Sequence, residues 1–345
     1  MNPYAMSILA SGLSTGTIIT ATSTHWFLAW MGLELNTLAM VPLMSKMHHP
    51  RAIEAATKYF LTQAGASALL LFATAMNVWY TGEWTINTQE NFSTLMLTVA
   101  LMTKLAVFPF HLWLPDIMQG LDMTTCFILT TWQKIAPMTL LLQVGPKLNP
   151  TLLMLMGILS IIMGGWGGLN QPQLRKIMAY SSIAHLGWMM IVLPHSTHLA
   201  LMNLLIYILI TSSMFLMMMY MSSTTINKLA ASWMKNMPLT LMMMMVLMSL
   251  GGLPPMSGFI PKWLVMEEII KHNMIMLTTI MAISALLSLF FYLRLSYMTS
   301  LTTSPTPMNS KSMWRLKMNQ NWTTPTTTIL SIMLIPIMPT ITSLL

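Results

Sequence analysis

The chain has 345 residues, 55% of them hydrophobic and 7% charged, with a formal net charge of +8. Soluble domains average about 25% charged residues, so this composition excludes a soluble globular protein and marks an integral membrane protein. A single cysteine, Cys126, excludes an internal disulfide framework or a cysteine-ligated cluster, and basic residues scattered over loops without interleaved aromatics argue against a nucleic-acid partner.

The opening Met1-Asn2-Pro3-Tyr4 shows neither a basic region nor a small-residue cleavage site, so no cleavable targeting segment is expected. Continuous apolar runs follow, each about 20 residues or longer; a β-barrel needs alternating segments of about ten. The expectation is an all-α polytopic membrane protein with eleven spanning segments, at 3–22, 24–44, 57–80, 92–121, 123–144, 149–170, 173–194, 198–221, 237–272, 274–299 and 324–344. The fourth and ninth are too long for one straight helix and hold prolines near their middles, so each predicts a broken helix. Thr302 to Asn321 is the one extended polar loop.

Loop charges sort by side. Lys46, Arg51, Lys58, Arg175, Lys176, Lys228, Lys235, Lys311, Arg315 and Lys317 fall on the side of the N-terminus. The opposite loops carry Lys147 and Lys271 against Glu83, Glu90, Glu267 and Glu268. The positive-inside rule then puts the N-terminus inside and, with an odd count, the C-terminus outside.

The chain also hints at duplication. Pro109, in the first expected break, and Pro255, in the second, are 146 residues apart, the same spacing as the starts at 3 and 149. The texts after the breaks end alike, Phe110 to Leu114 and Phe259 to Leu264. One transmembrane domain built from two inverted five-helix repeats, 3–144 and 149–299, with a C-terminal helix at 324–344, is the expected organisation.

Four ionisable residues interrupt the apolar runs. Glu34 is central in Trp30 to Asn36, Lys104 lies five residues before Pro109, Lys134 three before Pro137, and Lys262 directly after Pro261. A charge inside a membrane is costly and marks a functional position by default, and proline-freed carbonyls can hold water there. Burial drives a lysine toward the neutral amine, and a nearby carboxylate draws it back to the ammonium. A lysine between those influences can load and release a proton when its partner moves, and Glu34 is the natural partner of Lys104. His111, just past Pro109, and His185, in Ser181 to Trp188, are possible relays near neutral pH. Neither a nucleotide fingerprint nor a metal-ligand cluster is present, so redox chemistry inside this chain is not expected.

These residues carry a resemblance over essentially the whole chain. Leu169 to Ile183, Thr131 to Pro137 and Ser249 to Trp263 closely resemble the antiporter-like membrane subunits of respiratory NADH–ubiquinone oxidoreductase, complex I, which are similar to subunits of cation/proton antiporters. The resemblance implies that Glu34 and Lys104 match the family's Glu–Lys pair, Lys134 its central relay lysine and Lys262 the lysine of its second broken helix, with His111 and His185 on the axis between them. It further implies no cofactor in this chain, with NADH, FMN, iron–sulfur clusters and ubiquinone held by other subunits. The implied partners are other membrane subunits of the complex, including another antiporter-like subunit, accessory subunits and phospholipid. The 42 methionines resemble the bias of animal mitochondrial genomes, implying the inner mitochondrial membrane. Many relatives read Met-Lys-Leu where this chain reads Thr103-Lys104-Leu105. A stand-alone cation/proton antiporter and a purely structural membrane subunit fit the same buried charges.

Overall fold

The computed structural model describes residues 2–46, 48–86, 91–234, 236–301, 322–334 and 336. The expected loop Thr302 to Asn321, most of the last expected segment beyond 334, and the loop charges Glu90, Lys235, Lys311, Arg315 and Lys317 lie outside those residues. Among the described residues the fold is all-α, with isolated β-bridges only at His25–Thr85 and Gln173–Thr225. By length and hydropathy six helices qualify as membrane spans: Pro3–Thr22, Trp26–Met44, Pro50–Thr81, Pro150–Gly168, Thr197–Met221 and Ile275–Leu301.

The chain divides into two compact units. The first covers Met1–Ser160 and Leu186–Ala200. It holds α1 (Pro3–Thr22), α2 (Trp26–Met44), α3 (Pro50–Thr81), α4 (Asn91–Leu105), α5 (Trp113–Gly120) and α6 (Met123–Val144). The second covers Ile161–His185 and Leu201–Leu345. It holds α10 (Ile226–Ala230), α11 (Met237–Gly251), α12 (Phe259–Lys271), α13 (Ile275–Leu301) and α14 (Thr323–Met333). Helices α7 (Pro150–Gly168), α8 (Leu174–Val192) and α9 (Thr197–Met221) are each divided between the two.

Local chemistry explains the helix starts. Proline stands at the first position of α1, α3 and α7, where its missing N–H is harmless. Asn2 Oδ1 accepts from Tyr4 N, and His49 Nδ1 accepts from Arg51 N at 3.2 Å. That second cap starts α3 at Pro50, seven residues before the expected 57. Arg51 and Lys58 therefore belong to a helix rather than a loop, and Lys58 pairs with Glu54 one turn away at 2.7 Å. The short α10 also lies in a stretch read as connection, capped by Thr225.

Both long segments break as expected, and each first half-helix ends ahead of the prolines of its break. Helix α4 already ends at Leu105, four residues before Pro109. Ala106 takes a left-handed conformation, φ +62, with Ala106 N donating to Thr103 O (3.3 Å) and Val107 N to Met102 O (3.0 Å). This pair of bonds closes a helix end and satisfies its last carbonyls. Helix α11 ends the same way. Gly252 has φ +79, Gly252 N donates to Ser249 O (3.0 Å), and Leu253 N to Met248 O (3.3 Å). Pro109, four residues on, has no N–H to offer Leu105 O, and the left-handed turn closes the helix on Met102 O and Thr103 O before the proline is reached. Alanine fits a left-handed position poorly, so Ala106→Gly should raise stability by about 0.5–1 kcal/mol, the strain relieved less the entropy glycine loses. A higher melting temperature checks this, and a lower one would show that Ala106 is held by its packing.

Candidate functional site

In the first unit, five helices bring polar side chains to one enclosed cavity of about 20 Å³. Asn36 comes from α2, Tyr59 and Gln63 from α3, Lys104 from α4, Trp113 from α5, and Gln133 and Lys134 from α6. A water needs roughly 10–15 Å³, so the space suits one. Lys104 and Lys134 are 6% and 3% exposed. Asn36 Oδ1 and Nδ2, Gln63 Nε2, Gln133 Nε2 and Lys104 Nζ are buried and have no hydrogen-bond partner among the described residues. Buried polar atoms are almost always paired, so such a concentration around one cavity needs a reason. A site built to pass a proton through bound water supplies it.

The break places the pieces. The carbonyl of Thr103, which accepts from Ala106 N in the closing turn, has a second lone pair for a side chain from the other half of the break. Trp113 Nε1 donates to it at 3.1 Å, tying the start of α5 to the last turn of α4 beside Lys104. The Tyr59 ring meets Trp113 edge-on at 6.1 Å, and its hydroxyl reaches Gln133 Oε1 at 3.5 Å. One turn away along α3 and α5, Arg51, Glu54, Lys58 and Asp116 line a charged recess of about 290 Å³.

Glu34 on α2 is half-buried, and its Oε2 has no hydrogen-bond partner among the described residues. It acts electrostatically on Lys104, yet no ion pair within 4.0 Å joins them among the described residues. His111 is buried in the turn between α4 and α5 with its ring stacked on Phe108 at 5.5 Å, and it does not line the cavity. Sequence reasoning named Glu34, Lys104 and Lys134 but not Asn36, Tyr59, Gln63 or Gln133. Their signal was available: amides within apolar helical runs are costly for the same reason as charges.

The second unit contains Lys262 and His185. Lys262, in the first turn of α12, reaches back over the break and donates from Nζ to Gly251 O (2.9 Å) and Leu250 O (3.3 Å). Those are the last carbonyls of α11, at the negative end of its dipole. His185 on α8 is 9% exposed and packs its ring on Tyr207 of α9 at 5.4 Å.

Gly252 makes room for the lysine. A Cβ there would stand 2.9 Å from both Cδ and Nζ of Lys262, on a backbone already left-handed. Gly252→Ala should cost about 1–2 kcal/mol in backbone strain and a further ~1 kcal/mol of coupling to Lys262. A double-mutant cycle with Lys262→Ala checks this. A coupling of zero would mean the alanine methyl and the lysine do not meet.

Comparison with known proteins completes the description. Residues 23–288 match the family model described as NADH:quinone oxidoreductase/Mrp antiporter, and residues 289–342 match NADH dehydrogenase subunit 2 C-terminus. NADH-ubiquinone oxidoreductase chain 2 of Tetraodon nigroviridis is 53% identical over 100% of this chain and 99% of its own length. The Xenopus laevis protein of the same name is 52% identical over 98% and 99%. Among solved structures, a chain of respiratory complex I from Thermus thermophilus superposes with a TM-score of 0.85 at 26% identity, covering 97% of this chain and 78% of that one. A chain of the Mrp complex from Dietzia shares the fold, with a TM-score of 0.75 at 18% identity over 90% and 62%.

Proposed function

The chain belongs to the NADH-ubiquinone oxidoreductase chain 2 family, and from that premise we propose that it is a proton-translocating membrane subunit of respiratory complex I. NADH, FMN, the iron–sulfur clusters and ubiquinone belong to other subunits of that complex, and this chain contributes to its NADH:ubiquinone reductase activity by moving protons. Its partners are the other membrane subunits, another antiporter-like subunit among them, together with accessory subunits and phospholipid. It sits in the mitochondrial inner membrane with the N-terminus in the matrix and the C-terminus in the intermembrane space.

The observation that carries this reading is the small cavity that gathers Lys134, Lys104 with its partnerless Nζ, and four further buried polar atoms with no hydrogen-bond partner among the described residues. Lys104 loads a proton under the control of Glu34, Lys134 takes it across the cavity, and Lys262 exchanges it beyond. His111 and His185 serve the path between them. The energy scale supports control by Glu34. Moving a carboxylate from 4 to 8 Å at an effective dielectric of 20 changes its attraction by about 2 kcal/mol, close to the roughly 2.3 kcal/mol of a charge crossing 100 mV. The charged recess at the start of α3 would face the matrix in this orientation and supply protons toward Tyr59 and Trp113.

We read residues 3–144 and 149–299 as two inverted five-helix repeats, with 324–344 as a closing helix. In support, Ala106 and Gly252 cap their helices with the same bonds and are 146 residues apart, the spacing of Pro109 and Pro255. The test of the proposed function is Lys104→Met in the assembled complex, with pumping, quinone reduction and assembly measured together. Normal pumping and turnover in that complex would overturn it.

A further inference from the structure

The second unit carries a buried run of hydroxyls that the proposed path does not use. Ser181 and Ser182 are neighbours on α8, both fully buried, and donate to the carbonyls of Met178 and Ala179 within their own helix. Each serine oxygen can therefore still accept. Tyr207 of α9 shares a hydrogen bond with Ser182, and its ring lies on His185. Tyr292 of α13 turns its hydroxyl toward Ser181. That hydroxyl is buried and makes no hydrogen bond among the described residues. The Tyr292 ring packs against Gly251, the residue whose carbonyl holds Lys262. Tyr207 and Tyr292 are each 1% exposed.

A hydroxyl is the side chain that can take a proton on one lone pair and give up the one it already holds. Serine and tyrosine do this without acquiring lasting charge, which suits a dry interior where a charge is costly. Tyr292 stands out because its hydroxyl contributes no bond to the fold. A buried hydroxyl without a partner costs stability, so its presence calls for a reason.

We propose that Tyr207, Ser182, Ser181 and Tyr292 form the hydroxyl proton path between His185 and Lys262. This rests on the reading of the chain as a proton-translocating subunit and adds the residues that join two of its ionisable groups. A proton leaves the imidazolium of His185, and each hydroxyl in turn forms one O–H bond and breaks another. The last O–H bond to break is that of Tyr292, as an N–H bond forms on the neutral amine of Lys262. The hydroxyls rotate back, and one proton has moved with no charge left on the path.

The test is Tyr292→Phe in the assembled complex, reconstituted in vesicles, beside Lys104→Met. Because the removed hydroxyl holds nothing, complex abundance and NADH oxidation with an artificial electron acceptor should stay normal. Proton pumping should fall at least about tenfold, the low side of what a positioned proton carrier contributes. Tyr207→Phe should lower pumping in the same way, and the residual rate of both variants should show a changed solvent deuterium isotope effect. Normal pumping in Tyr292→Phe while Lys104→Met fails would overturn the hydroxyl path and leave the proposed function standing. Normal pumping in both would overturn the function as well. Loss of the Tyr292→Phe complex would show that the hydroxyl is structural, which also overturns the path.

Discussion

An assembled complex carrying Lys104→Met should lose proton pumping and coupled quinone reduction together, by at least about tenfold, equivalent to ~1.4 kcal/mol or more on the barrier. Methionine keeps the length and flexibility of lysine and removes the amine. In most buried sites losing a charged partner is destructive because it strands the opposite charge. Here Lys104 Nζ has no hydrogen-bond partner among the described residues, and no ion pair within 4.0 Å reaches it there. An apolar replacement of similar shape at such a site is close to neutral for the fold. The complex should therefore assemble at the normal level, and the loss should be confined to proton movement. Native gels for assembly, a pH-sensitive dye for pumping and NADH-driven quinone reduction give the three readings. A parallel fall in assembly and activity would assign Lys104 a structural role instead.

Gly258→Ala should act on the fold itself. Gly258 stands just before α12, and a Cβ there would overlap the carbonyl oxygen of Ser249, in the last turn of α11. The obstacle is backbone, so no rotamer change relieves it. Overpacking of this kind costs about 1–3 kcal/mol, and more where the neighbour cannot give. The two half-helices must separate, and that separation withdraws Lys262 from the carbonyls of Leu250 and Gly251. Differences of about 1–2 kcal/mol already change cellular abundance several-fold. The assembled complex should fall by at least that much on a native gel. A wild-type level would show that α11 and α12 can slide apart freely.

Much of this architecture is legible in the sequence, and the gaps have physical causes. The limits of α1 and the start of α7 follow from prolines at helix starts followed by long apolar runs. The two broken helices were expected from prolines near the middles of the long segments, and the helices end four residues before Pro109 and three before Pro254, each at a left-handed residue. Gly252 is the residue type that a left-handed turn favours, but Ala106 gives no such sign, because alanine is not the residue that conformation favours. Lys104 and Lys134 were readable as costly charges. Their meeting in one cavity was not, since it depends on five helices converging. Tyr59, Gln63 and Gln133 carry no formal charge, so a reading that followed charges through the apolar runs passed over them. His111 was named, but its setting was not foreseen. Its position after Pro109 marked it as a possible relay, and nothing in the sequence announced that the turn stacks its ring on Phe108.

The reach of Lys262 bears on how the two halves of the chain are to be matched. Leu250, whose carbonyl it touches, is 146 residues beyond Lys104, so a column-by-column match of the two halves pairs a lysine with a leucine. Scored that way, the second half has lost its ammonium. In the folded chain the ammonium is still at the end of the first half-helix, delivered from the far side of the gap. Matching the two halves at such a gap therefore has to follow where the amine arrives and not the column of the residue that brings it.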